Sequence, residues 1–112
     1  RMGDTLRLGG YLVSPAEIEN VITEHEAITA AQVVAVRVKN KMQPYGFVIV
    51  KSGMKMNDEL LRAHCKKRIA EFKVPVAFHY VDQFPTTKSP NGTKIQRAKL
   101  RQMAEEAIET NT

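Results

Sequence analysis

Apolar residues recur along this chain at two periods. Ile18, Val21 and Ile22 form one set, Leu61, Cys65, Ile69 and Phe72 a second, and Leu100, Met103, Ala104 and Ala107 a third. Within each set the main spacing is three or four residues, which gathers the side chains on one face of a helix. Between these stretches the pattern changes. Ala30 to Val38 is a β-run in which Val33, Val34, Val36 and Val38 stand out, Tyr45 to Val50 is a second run, and Val76 to Val81 is a third. Branched residues of this kind suit a pleated surface. Near the start, Leu6 and Leu8 alternate with Arg7, Gly9-Gly10 make a turn, and Tyr11-Leu12-Val13 extend again, which is a hairpin signature. The predicted order is hairpin, helix, strand, strand, helix, strand, loop, helix. This is an α+β fold: an N-terminal β-hairpin plus a small, mostly antiparallel three-stranded sheet packed with helices.

Local signals sharpen the boundaries. In Ser14-Pro15-Ala16-Glu17, Ser14 is placed to accept from the N3 amide, Pro15 suits the first turn, and Glu17 can return a bond to the cap. Asn57-Asp58-Glu59 caps the second helix, with acids that suit its dipole, and Lys73-Val74-Pro75 ends it. Lys39 to Pro44 reads as a polar turn that makes the flanking strands antiparallel neighbours, and the last helix as running from about Gln96 to Glu109. Glu17, Glu19, Glu24 and Glu26 read as solvated, His25 as exposed near a helix end, and Arg62, Lys66, Lys67 and Arg68 as solvated cations.

Composition narrows the function classes. The 112 residues suit one domain with a modest core, and 43% hydrophobic content favours folding over disorder. Cys65 is alone, so no internal disulfide forms; this fits a reducing cytoplasm and a buried thiol. No apolar run reaches the length of a membrane span, and the start is not a signal peptide. The abrupt beginning in a strand-like segment reads as a piece of something longer. His25, His64 and His79 are scattered, no metal spacing appears, and neither a nucleophile triad, a P-loop nor a complete dinucleotide fingerprint is present. A net charge of +5 leaves nucleic acid, acidic membrane or phosphorylated small molecules as partners. The absence of Trp and the few aromatics supply base stacking poorly.

The charge is concentrated late. From Pro85 to Arg101 the chain carries Lys88, Lys94, Arg97, Lys99 and Arg101, with no acid between Asp82 and Glu105. The first half of this stretch is turn chemistry: Pro85, Ser89, Pro90, Asn91 and Gly92. A loop that ends by presenting a lysine beside a helix start suits an anion, because the ammonium is a compact charge and the first helical N–H groups are free donors. A solvated basic loop before an ordinary helix explains the same residues. Gly9-Gly10 is the other candidate, since glycine lets a ligand approach the backbone closely, and a plain surface hairpin again explains it.

These segments together carry a resemblance. Gly9-Gly10-Tyr11-Leu12-Val13-Ser14-Pro15-Ala16-Glu17-Ile18-Glu19 resembles the segment that opens the C-terminal domain of adenylate-forming enzymes, the superfamily of acyl-CoA synthetases, peptide synthetase adenylation domains and luciferases. Phe72-Lys73-Val74-Pro75 resembles that family's Tyr-Lys-Val-Pro element. Phe84-Pro85-Thr86-Thr87 through Gly92-Thr93-Lys94-Ile95 and Leu100 resembles its final lysine motif. The segments occur in the family's order and span nearly the whole chain.

The resemblance implies a mobile C-terminal domain over residues 1–112, with a hinge and glycine-rich hairpin at 1–13 and a catalytic-lysine loop at 85–95. Lys94 matches the catalytic lysine, whose charge lies near the carboxylate and α-phosphate during adenylation. Gly9, Gly10 and Tyr11 match the segment that meets the pantetheine arm of CoA. Arg1 matches an arginine that contacts nucleotide, and Gly3 or Asp4 the hinge. Leu12 stands where the family often has arginine. The implied activity is that of an AMP-forming acyl-CoA synthetase, a cytoplasmic acid–thiol ligase. ATP, Mg2+ and CoA are then held mainly with an N-terminal domain of the same chain, which also takes the small carboxylic acid, and this domain alone is inactive. No metal ligands are expected within it, no specific nucleic acid and no membrane span. An adenylation domain that loads a carrier protein, and a small basic nucleic-acid-binding domain, remain as alternatives.

Overall fold

The computed structural model describes residues 6–8, 10–89 and 92–110, with the side chains of 87–94 and 110 left aside. In chain order the elements are β1 (Leu6–Leu8), β2 (Tyr11–Val13), α1 (Pro15–Thr23), β3 (Ile28–Val38), β4 (Lys41–Val50), α2 (Asp58–Lys66), a 3₁₀ turn (Glu71–Lys73), β5 (Phe78–Tyr80), β6 (Thr86–Ser89), β7 (Gly92–Ile95) and α3 (Arg97–Thr110). The expected α+β architecture is present, with an additional hairpin, β6–β7, inside the stretch read as a loop.

The long β3–β4 hairpin is the frame. Its antiparallel register runs from Ile28 opposite Val50 to Val38 opposite Lys41. The connection is two residues, not the six read from the sequence: Lys39 and Asn40 have φ of 51° and 67°. Positive φ at both central positions gives the turn whose twist matches the flanking strands. Pro44 therefore lies within β4, opposite Ala35. Even-numbered residues of β4 aim their backbone groups toward the β5 side, where Gly46 N–H donates to the Ala77 carbonyl and the Pro44 carbonyl accepts from Val76 N–H at 2.9 Å. A proline is tolerated there because Pro44 acts on that side as an acceptor, ahead of the first paired residue, Gly46.

β5 pairs with β4 in parallel, Gly46 opposite Phe78, so the order β3-β4-β5 is a mixed sheet. The chain crosses through α2 between these two strands, which permits a parallel neighbour. Three of the four described strand pairings are antiparallel.

The sheet is covered on both sides, which explains the unbroken Val33-Val34-Ala35-Val36 run. Ala31, Val33 and Val48 pack with Ile18 and Ile22 of α1 and Leu61 and Cys65 of α2. Val34, Val36 and Phe47 pack with Leu100 and Ala104 of α3. Asn57 caps α2 as expected, its Oδ1 accepting from Leu60 N–H at 2.9 Å. Ser14 differs: it makes no side-chain cap bond, and Glu17 N–H donates to the Ser14 carbonyl instead. The Glu17 carboxylate turns away to accept from Lys73 Nζ at 2.8 Å.

The second apolar stripe is shorter than its periodicity suggested. α2 ends at Lys66, Ile69 still packs on the core, and Phe72 leaves the stripe in the 3₁₀ turn with 39% of its surface exposed. His25 is half-buried, its Nδ1 accepting from Ala27 N–H and its ring edge-on to His64. Glu19 is not solvated; its side chain keeps only 15% of its surface.

Candidate functional site

The lysine segment is built as a ribbon. β6 and β7 pair antiparallel, with Lys94 opposite Thr87 and Lys88 opposite Thr93. The two lysines thus occupy register positions of alternate parity. Gln96 N–H donates to the Pro85 carbonyl at 2.9 Å and closes the ribbon at its base, where α3 starts at Arg97.

Arg97 then reaches into the body of the domain. Its Nη1 donates to the Val33 carbonyl at 2.9 Å and its Nη2 to Glu19 Oε2 at 3.0 Å. The same carboxylate oxygen accepts from Val33 N–H at 2.9 Å. Val33 lies opposite Gly46, whose backbone groups face β5, so the Val33 amide and carbonyl point to the outer side of β3. Carboxylate and guanidinium together satisfy both, through charge-assisted bonds roughly twice as strong as neutral ones. Sequence reading missed this grouping because nothing in the spacing of Glu19, Val33 and Arg97 marks them as neighbours. A cleft of about 340 Å³ lies beside it, lined by Arg7, Ala35, Met42, Arg97, Ala98 and Arg101 among others. Its three guanidiniums make it cationic.

The glycine hairpin lies at β1–β2, where Leu8 faces Tyr11 across the turn. Gly10 has φ of +93°, a conformation L side chains rarely adopt, and a Cβ built on it meets no atom within 4 Å. Tyr11 and Leu12 follow with 62% and 68% of their surface exposed. The Tyr11 ring sits on Phe72, with centroids 4.7 Å apart, and Lys73 Nζ is 5.8 Å from the Phe72 centroid. Two segments singled out separately in the sequence, Gly10-Tyr11 and Phe72-Lys73, therefore form one surface. Arg1, Gly3, Asp4, Gly9, Pro90 and Asn91 lie outside the described residues, as does the side chain of Lys94.

Asp58, Tyr80 and Cys65 serve the frame. Asp58 Oδ1 accepts from Tyr80 Oη at 2.8 Å and Oδ2 from Phe78 N–H at 3.2 Å, tying α2 to β5. Burial, and then the Asp58 carboxylate, raises the Tyr80 phenol well above its ordinary range. Burial pushes the Cys65 thiol up to about 11, with Arg68 opposing, so it is a poor nucleophile at neutral pH. Among the described residues no three His, Cys, Asp or Glu side chains come together to hold a metal, and no helix is long and apolar enough to cross a membrane.

These features define a small α+β module that carries its candidate chemistry on two short hairpins. Residues 17–91 match the family described as the AMP-binding enzyme C-terminal domain, and the chain belongs to that family. It is 33% identical over 111 residues to 2-succinylbenzoate–CoA ligase of Geobacillus kaustophilus, matching 98% of this chain and 22% of that protein. It is 36% identical over 105 residues to benzoate–CoA ligase of Thauera aromatica, covering 90% of this chain and 19% of the relative. Among solved structures, an acyl-CoA synthetase of Brucella canis superposes with a TM-score of 0.78 at 30% identity, over 100% of this chain and 20% of the other. The chain thus spans about a fifth of the length of its relatives.

Proposed function

We propose that this chain is the mobile C-terminal domain of an AMP-forming carboxylate–CoA ligase, which activates a carboxylic acid with ATP and transfers the acyl group to CoA. The observation that carries the reading is the pairing of two separate hairpins, Gly10 on β1–β2 and Lys94 on β6–β7, in a chain whose relatives are named as CoA ligases. Lys94 supplies a positive charge for adenylation. Gly9, Gly10 and Tyr11 offer a backbone surface to the pantetheine arm of CoA, Arg1 contacts nucleotide, and Gly3 or Asp4 provides the swivel. ATP, Mg2+ and the acid are held mainly by an N-terminal domain of the same chain, the enzyme works in the cytoplasm, and this domain alone is inactive. The open space around the Gly10 Cβ position and the exposure of Tyr11 support an approach of that kind.

The test uses the intact enzyme. Lys94→Ala is expected to slow adenylation by roughly a hundredfold or more, the scale of losing one preorganised electrostatic contact. Thioester formation from supplied acyl-adenylate is expected to survive. Equal loss of both half-reactions refutes the role. Replacing CoA with a pantetheinylated carrier protein in the second half-reaction separates the two acceptor classes.

A further inference from the structure

We infer that Glu19 and Arg97 are positioning residues for adenylation, acting through the hairpin that carries Lys94. The inference rests on the role of Lys94 proposed above. The β6–β7 ribbon forms a sheet of its own, separate from β3-β4-β5. An isolated two-stranded ribbon is marginal in water, so the placement of its lysine depends on how its ends are held. One tether is the Gln96 N–H bond to Pro85, which joins the two ends to each other. A second is Arg97, two residues beyond the end of β7, whose guanidinium bonds the Val33 carbonyl at 2.9 Å and Glu19 at 3.0 Å, beside the packing of Phe84 on the core ahead of β6. Glu19 is itself fixed by Val33 N–H at 2.9 Å, and both partners sit on the central framework, Glu19 in α1 and Val33 in β3. A planar guanidinium engages two acceptors at once in a set direction, which a lysine does not. Electrostatic catalysis depends on charge held where it is needed, and a displacement of about 1 Å costs on the order of a hundredfold.

The experiment uses the full-length enzyme with Arg97→Met, Arg97→Lys and Glu19→Gln, each alone and with Lys94→Ala. Three quantities are read: kcat and KM of the adenylation half-reaction, the rate of acyl transfer from supplied acyl-adenylate, and amide hydrogen exchange across 85–96. Arg97→Met and Glu19→Gln are expected to lower adenylation kcat about ten- to a hundredfold with KM for ATP and acid nearly unchanged, Arg97→Lys less. Exchange across 85–96 rises while exchange in β3–β4 holds, and acyl transfer is spared. In the Lys94→Ala background the same changes cause no further loss, because they act through that lysine. Glu19→Gln keeps an acceptor for Val33 N–H and serves as the measure if Arg97→Met melts early. Equal losses with and without Lys94, or unchanged exchange across 85–96, overturn the positioning role alone. A harmless Lys94→Ala overturns the reading of Lys94, and the positioning role with it.

Discussion

Replacing Gly10 by alanine and by leucine separates what the turn demands of the backbone from what the hairpin is proposed to meet. The φ of +93° is available to glycine at little cost, and an L residue held at positive φ costs roughly 1–2 kcal/mol. Both substitutions carry that cost. Neither adds a clash at Cβ, because no atom lies within 4 Å of that position. At about 4–8 °C per kcal/mol for a domain near this size, the melting midpoint falls by roughly 4–16 °C in both variants. Among the described residues beyond its chain neighbours, no atom lies within 4 Å of the Gly10 Cβ position for the added bulk of leucine to displace there. In the intact enzyme, pyrophosphate exchange is therefore expected to stay near normal for both. Acyl-CoA formation falls at least about tenfold further for Gly10→Leu than for Gly10→Ala, a barrier increase of about 1.4 kcal/mol caused by volume alone. Melting curves on both variants and the two half-reactions measured separately give the comparison. If alanine and leucine lose both half-reactions in step with the shift in midpoint, the glycine serves only the turn and the CoA-facing role of the hairpin is wrong.

Three further outcomes concern stability. Gly46→Ala places a Cβ 2.8 Å from Phe78 Cδ1 and 3.0 Å from Cε1, where β4 meets β5, and is expected to cost about 1–3 kcal/mol in a denaturant titration; an unchanged midpoint contradicts the packing described. Asn57→Ala removes the bond to Leu60 N–H and costs about 1 kcal/mol, whereas Ser14→Ala, which loses no such bond, shifts the midpoint much less. Neutral Tyr80 donates to Asp58, so its deprotonation sets two anions against each other. The contribution is complete below the unfolded phenol value of about 10 and is lost as the pH rises toward the raised folded value. Tyr80→Phe flattens that alkaline loss, and a loss of the same steepness in the variant assigns it elsewhere, Tyr45 being the next phenol raised by burial.

Much of the frame is written in local pattern. The β3–β4 pairing follows from two valine-rich runs, the α2 start from Asn57, and the inward faces from Ile18 and Ile22, Leu61 and Cys65, and Leu100 and Ala104. What escaped has a physical reason in each case. Lys39-Asn40 lacks the glycine that usually marks a two-residue turn, so strand pairing imposed positive φ on residues that only tolerate it. Pro44 argued for a loop, but on the β5 side it acts through its carbonyl, which accepts from Val76 N–H, and residue pairing with β5 starts at Gly46. The direction of β5 depends on the crossover through α2, a topological matter that periodicity does not encode. In the candidate site, the motif residues were legible from the resemblance. The contacts between them, Tyr11 on Phe72 and Arg97 on Glu19, join residues far apart in the chain and become visible only once the chain is folded.

The bonds at Val33 have a consequence for how this segment behaves among other molecules. β3 is an edge strand of 11 residues, rich in valine, the kind of border onto which a second chain can add by strand pairing. Midway along it, the outward amide and carbonyl of Val33 are already occupied by Glu19 and Arg97. A foreign strand laid along that border finds a carboxylate and a guanidinium where it needs an empty donor and acceptor, and must expel an ion pair to continue its ladder. While the pair is in place, a ladder along that border is interrupted at Val33.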